Sequence, residues 1–147
     1  MNLNLENKNA IVCASSQGLG KAAAIDLAKE GVNLAICSRD QEKIDKAKED
    51  ILRKTDHNIK LIALKADLDS LKDIQIFLQE VEQSLGVVDI LLNNTGGPPP
   101  KSFEDISKYP NSLSLGTIPS GQSSSSRTKG IQEFILSSSR FATTIAL

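Results

Sequence analysis

Four short apolar runs, each handing on to a helix-forming stretch, constrain this chain more than any other feature. Strands are predicted over 8–14, 32–37, 61–64 and 87–92, and helices over 19–30, 41–54 and 71–85. In the first helix Leu19, Ala22, Ala23, Leu27 and Ala28 recur at helical spacing, and in the second Ile44, Ala47, Ile51 and Leu52 form one stripe behind Asp40 as N-cap. Gly31 and Gly86 follow the first and third helices, where a left-handed residue ends a helix at least cost. Near-continuous apolar strands in strict alternation with helices argue for a parallel sheet covered on both faces. Right-handed crossovers then make it an α/β doubly wound parallel sheet of about four strands, incomplete towards the C-terminus. Ligands of such a sheet bind beyond the carboxyl ends of its strands. The residues there are 15–20, Ser38 and Arg39, Asp67, and 93–96.

The turn after the first strand is the strongest of these. A strand that enters a helix over small residues leaves the first helical N–H groups unpaired, with the positive end of the helix dipole behind them, and such a turn attracts phosphate. Gly18 and Gly20 open the helix here, as a nucleotide cradle or simply as close-packing turn residues. A Walker A loop is excluded, because it needs glycine where Ser15 stands and Ser or Thr in place of Ala22. At the end of the second strand an acidic residue would accept from the 2′-hydroxyl of NAD, whereas a guanidinium suits the 2′-phosphate of NADP. Ser38 and Arg39 therefore favour NADP over NAD, the alternative being a solvated Arg39 beside the cap Asp40. Asp67 is placed to hold an adenine edge or to shape the turn and cap the next helix, and both readings stay open. Asn93 and Asn94 are suited to tie neighbouring strand ends. Their glycosylation sequon with Thr95 is read as coincidence.

Composition narrows the partners. With 147 residues, 39% apolar, one modest domain is expected. A formal net charge of -1 without a clustered basic face disfavours nucleic acid. No apolar run approaches a membrane span and the N-terminus carries no signal-peptide pattern, so a cytoplasmic location and no membrane partner are expected. Cys13 and Cys37 lie in predicted strands without C-x-x-C spacing and are expected as buried, reduced thiols. From Ser107 the character changes: 11 of the last 41 residues are serine, against 6 in the preceding 106. Residues 1–106 are accordingly read as a dinucleotide-binding half-domain and 107–147 as a poorly ordered, Ser-rich tail. A sheet ending at the fourth strand would leave that strand with an uncovered, aggregation-prone edge.

Over residues 5–106 the sequence resembles the short-chain dehydrogenase/reductase family. The family's T-G-x-x-x-G-x-G motif aligns with Cys13-Ala14-Ser15-Ser16-Gln17-Gly18-Leu19-Gly20, Cys13 and Ala14 standing for Thr and the first Gly. The N-N-A-G motif reads Asn93-Asn94-Thr95-Gly96, and the family's Asp-Leu after the third strand matches Asp67-Leu68. The resemblance implies a Rossmann fold and an NAD(P)-dependent oxidoreductase, similar to the acyl-carrier-protein reductases, that interconverts a small-molecule carbonyl and alcohol. It implies a cofactor site in which Ser16, Gln17 and Leu19 approach the pyrophosphate and ribose, with Ala14, Gly18 and Gly20 forming the turn. Arg39, beside Ser38, would meet the 2′-phosphate, Asp67 and Leu68 the adenine, and Asn94 and Gly96 the nicotinamide ribose. The family's Ser and Tyr-x-x-x-Lys have no counterpart: Tyr109, the one tyrosine, precedes Pro110 and has Leu113 where Lys belongs. Ser138 lies near the family Ser but within a serine run, and Asn111 and His57 have no supporting neighbours. No catalytic residue and no metal ligand is assigned. The chain is read as truncated or frameshifted near Ser107, with a non-catalytic nucleotide-binding remnant as the alternative, and its oligomeric state is left open.

Overall fold

The pleat of the first strand sorts the whole core. In a computed structural model, which describes residues 4–94 and 141–146, β1 (Asn9–Val12) lies inside a parallel sheet. Its alternate side chains point to opposite faces. Ala10 and Val12 pack with Leu34, Ile36 and Leu92 beneath α1 (Gly18–Lys29) and α2 (Gln41–Arg53). Ile11 and Cys13 pack on the other face with Ala35, Cys37 and Leu91 beneath Ile74, Phe77, Leu78 and Val81 of α3 (Leu71–Leu85). Both faces are thus covered, which is why the strands read as continuous apolar runs.

The remaining strands are β2 (Asn33–Ser38), β3 (Leu61–Lys65), β4 (Val88–Asn93) and β5 (Phe141–Ala146), in the order β3-β2-β1-β4-β5. All four pairings are parallel, with Val12 opposite Ile36 on one side and Leu92 on the other. The chain reverses its winding at β1, between β2 and β4, and there the doubly wound sheet has its crevice. The four expected strands and three expected helices are present to within a few residues. The expected open edge of the fourth strand is not: β5, from within the Ser-rich stretch, pairs along β4 from Val88 opposite Phe141 to Asn93 opposite Ala146. Six residues rich in β-branched and aromatic types suffice for a strand, and the unpaired edge of β4 supplies the template.

The helix ends follow local chemistry. The Asp40 carboxylate accepts from the Lys43 N–H at 3.2 Å, and the Ser70 hydroxyl accepts from the Asp73 N–H at 3.3 Å. Capping of α3 therefore falls to Ser70, and Asp67 instead holds the turn before it by accepting the Asp69 N–H at 3.0 Å. Gly31 (φ 76°) and Gly86 (φ 81°) take the left-handed backbone expected of them. At the amino end of the sheet, away from the crevice, the Asn9 side chain donates to the carbonyls of Leu85 and Val87 and accepts from Asn33. That cross-tie fixes where β4 enters the sheet.

Candidate active site: a nucleotide crevice

The carboxyl ends of β1 to β4 open onto one cavity of about 340 Å³. Ala14, Ser16, Gln17, Gly18 and Leu19 line it from the first turn, Ser38 and Arg39 from the second, Asp67 and Leu68 from the third, and Asn94 from the fourth. Eleven of the twelve sequence-predicted residues thus meet here once Gly20, buried directly behind the turn, is included. Gly96 lies outside the described residues, as do Tyr109, Asn111 and Ser138. Cys37, Ala66 and Asp69 also line the cavity and were not anticipated. Their only sequence signal is adjacency to Ser38, Asp67 and Leu68.

The turn owes its shape to three residues. Ala14 has φ 47° and Gly18 φ 61°, so the chain leaves β1 and enters α1 through left-handed backbone. Ala14 occupies the position of the family's first glycine and adopts a conformation that glycine takes without strain. Gly20 is needed for space: a Cβ there would lie 2.6 Å from the Ala14 carbonyl oxygen and 2.8 Å from Asn94 Nδ2. Asn94 Nδ2 itself donates to the Ala14 carbonyl at 3.4 Å, tying the end of β4 to the turn as expected. Asn93, in contrast, is buried with no hydrogen-bond partner for its side-chain amide among the described residues.

Ser15 is turned inward and serves the scaffold. Its hydroxyl donates to the Val12 carbonyl at 2.8 Å, and its N–H donates to the Cys37 carbonyl at 3.1 Å. Lys21 forms an ion pair with Asp50 on α2, and this lowers the Asp50 carboxyl from its usual range. The lysine is thereby committed outside the cavity lining.

Electrostatically the α1 end of the crevice suits an anion, while Asp67 and Asp69 line the far side. Helix α1 has Gln17 as N-cap with no side-chain capping bond and no acidic residue in its first turn, whereas α2 and α3 are both capped by side chains. Its leading N–H groups stay available beside the cavity, backed by the helix dipole. Arg39 is exposed at the rim and has no ion-pair or hydrogen-bond partner among the described residues. Next to it the Ser38 hydroxyl donates to Ser16 Oγ at 3.1 Å, linking the first and second turns. Cys13 and Cys37 are buried free thiols, as expected. The neighbouring Cys37 together with burial raises the Cys13 pKa above the ordinary thiol value. No cluster of potential metal ligands occurs among the described residues.

Residues 8–110 match the model of the short-chain dehydrogenase family. The chain belongs to this family. It is 35% identical over 101 residues to the NADPH-dependent reductase BacG of Bacillus subtilis, covering 69% of this chain and 39% of that protein. Its structure resembles L-sorbose reductase from Gluconobacter frateurii, solved with NADPH and L-sorbose, with a TM-score of 0.64 and 25% identity over 71% of this chain and 39% of the other. It also resembles an NAD+-bound xylitol dehydrogenase, with a TM-score of 0.59 and 25% identity over 63% of this chain and 35% of the other. The chain thus spans about two-fifths of the length of these proteins. The parallel sheet and the crevice at its switch point are those of a short-chain dehydrogenase. Among the described residues no helix is long and apolar enough to cross a membrane.

Proposed function

We propose that this chain is the NADP(H)-binding portion of an oxidoreductase that interconverts a small-molecule carbonyl and alcohol. The observation that carries this reading is the N-terminus of α1, without a side-chain cap, which faces a cavity whose rim holds the guanidinium of Arg39, unpaired among the described residues. A pyrophosphate accepts from the leading N–H groups of α1, and Gly20 keeps the backbone close enough for that approach. Ser16 and Gln17 line the diphosphate and ribose, with Leu19, 74% exposed, presenting an apolar surface beside them. Arg39 with Ser38 and Ser16 forms a donor set suited to a 2′-phosphate, which a ribose hydroxyl would not use. Asp67 and Leu68 border the adenine, and Asn94 the nicotinamide ribose.

The nicotinamide, when bound, supplies or takes up the hydride. Reduction of a carbonyl also needs a proton donor, and the family's Tyr-x-x-x-Lys does not occur among these 147 residues. This chain by itself is therefore read as binding nucleotide without turnover. The test is calorimetric titration of the purified chain with NADP and with NAD, alongside thermal melts. NADP is expected to bind at least about tenfold more tightly than NAD, a difference of roughly 1.4 kcal/mol. If neither nucleotide raises the melting temperature at millimolar concentration, the cofactor assignment fails. Oxidation or production of NADPH with a carbonyl or alcohol panel would overturn the non-catalytic reading.

A further inference from the structure

One pair of reactive side chains has no part in the proposed nucleotide contacts. Cys13 and Cys37 follow the registered pair Val12 and Ile36 on adjacent parallel strands, and both sulfurs belong to the cluster beneath α3. Neighbouring strands stand about 4.8 Å apart, within the roughly 4.4–6.8 Å that a disulfide spans between Cα atoms. The Cys37 carbonyl accepts from the backbone N–H of Ser15 at 3.1 Å. Cys37 therefore holds the turn one residue beyond the left-handed Ala14.

We propose that Cys13 and Cys37 form an oxidation-sensitive latch beneath the nucleotide turn, closed as a disulfide by a peroxide. The coupling to nucleotide rests on the cofactor reading above; the latch itself does not. In the first step the Cys37 thiolate attacks hydrogen peroxide, the O–O bond breaks, and the products are a sulfenic acid and hydroxide, which takes a proton to become water. In the second, the Cys13 thiol loses its proton, its sulfur bonds to that of Cys37, and the sulfenic hydroxyl leaves as a second water. The two thiols are oxidised by two electrons and the peroxide is reduced. Disulfide formation draws Cys13 towards β2 and strains the Ser15 N–H bond to the Cys37 carbonyl. The Cys13 carbonyl, 3.1 Å from where a Gly20 Cβ would stand, shares that contact with the start of α1, so the turn loosens. Both sulfurs are fully buried, so the reaction requires the turn to open, and bound nucleotide slows it.

The experiment treats the full chain with hydrogen peroxide and follows intact mass, alkylation of the unfolded protein, amide exchange over residues 14–20 and NADP affinity. Expected are a product lighter by two hydrogens with no alkylatable thiol, faster exchange over 14–20, and NADP affinity weakened by about tenfold or more. Dithiothreitol should reverse all of these, excess NADP should slow the mass change, and Cys13→Ser should abolish disulfide formation. Two thiols still alkylatable after peroxide would overturn the latch, as would a disulfide that leaves exchange over 14–20 unchanged. Failure of the reduced chain to bind NADP would overturn the cofactor reading alone, since mass and exchange need no nucleotide.

Discussion

Gly20→Ala adds one methyl group at a point where backbone stands on two sides. The new Cβ would lie 2.6 Å from the Ala14 carbonyl oxygen and 3.1 Å from that of Cys13, neither of which can swing aside like a side chain. The third neighbour, Asn94 Nδ2 at 2.8 Å, is free to move only by giving up its bond to Ala14. Overpacking of this kind costs about 1–3 kcal/mol, and the lost hydrogen bond about 1 kcal/mol. Against this, alanine is favoured over glycine inside a helix by about 1 kcal/mol. The net loss is about 1–3 kcal/mol, which for a chain near this size lowers the melting temperature by about 2–12 °C. Gly18→Ala is the internal control. Nothing stands within 4 Å of a Cβ at Gly18, so only its φ of 61° opposes the substitution, at about 1 kcal/mol. Circular-dichroism melts of the two variants read the difference. A Gly20→Ala melt equal to the parent's, or a Gly18→Ala loss larger than that of Gly20→Ala, would refute the steric reasoning.

Arg39→Ala should weaken NADP binding by about ten- to a hundredfold, the loss of roughly 1.5–3 kcal/mol of charge-assisted hydrogen bonding, and leave NAD binding unchanged. Equal losses for both nucleotides in calorimetry would mean that Arg39 does not read the 2′-phosphate. Ala14→Gly relieves a left-handed alanine at φ 47°. It should raise the melting temperature modestly, the relief of about 1–2 kcal/mol being partly offset by about 0.4–1 kcal/mol of unfolded-chain entropy; a lower melting temperature would count against the strain. The carboxyls of Asp40 and Asp50 are lowered by the Lys43 N–H and by Lys21 respectively. Their contribution is present above the ordinary carboxylate pKa of about 4 and lost as pH falls through the lower folded values. Acid melts should therefore drop more steeply below about pH 4 for the parent than for Asp40→Asn. Deleting residues 141–147 uncovers the outer edge of β4 and should produce concentration-dependent aggregation by light scattering; a monodisperse deletion variant would contradict the β4–β5 pairing.

Much of this architecture is legible in one dimension because its signals are local. Hydrophobic period, the cap at Asp40 and the left-handed stops at Gly31 and Gly86 each depend on a few consecutive residues, and they place the strands and helices to within a few positions. The doubly wound rule then brings the four turns together without knowledge of any distance. Asp67 shows where local reasoning divides: turn and ligand roles are written in the same residue, and only the cavity shows that it also lines the crevice. Non-local facts left no such trace. A serine-rich context hides β5, because a strand that completes another's edge is specified by that edge as much as by its own residues. The link from Asn9 to the end of α3, the carbonyls that exclude a side chain at Gly20, and the stacking of Cys13 beside Cys37 all join residues far apart in the chain. The sequence alone determined the alternation, the glycine-bearing turn into α1 and the charge at Arg39, since these are properties of neighbouring residues. Tertiary structure alone decided which strand covers β4, how closely the turn packs, and that the two expected buried thiols lie side by side beneath it, because those depend on register between strands.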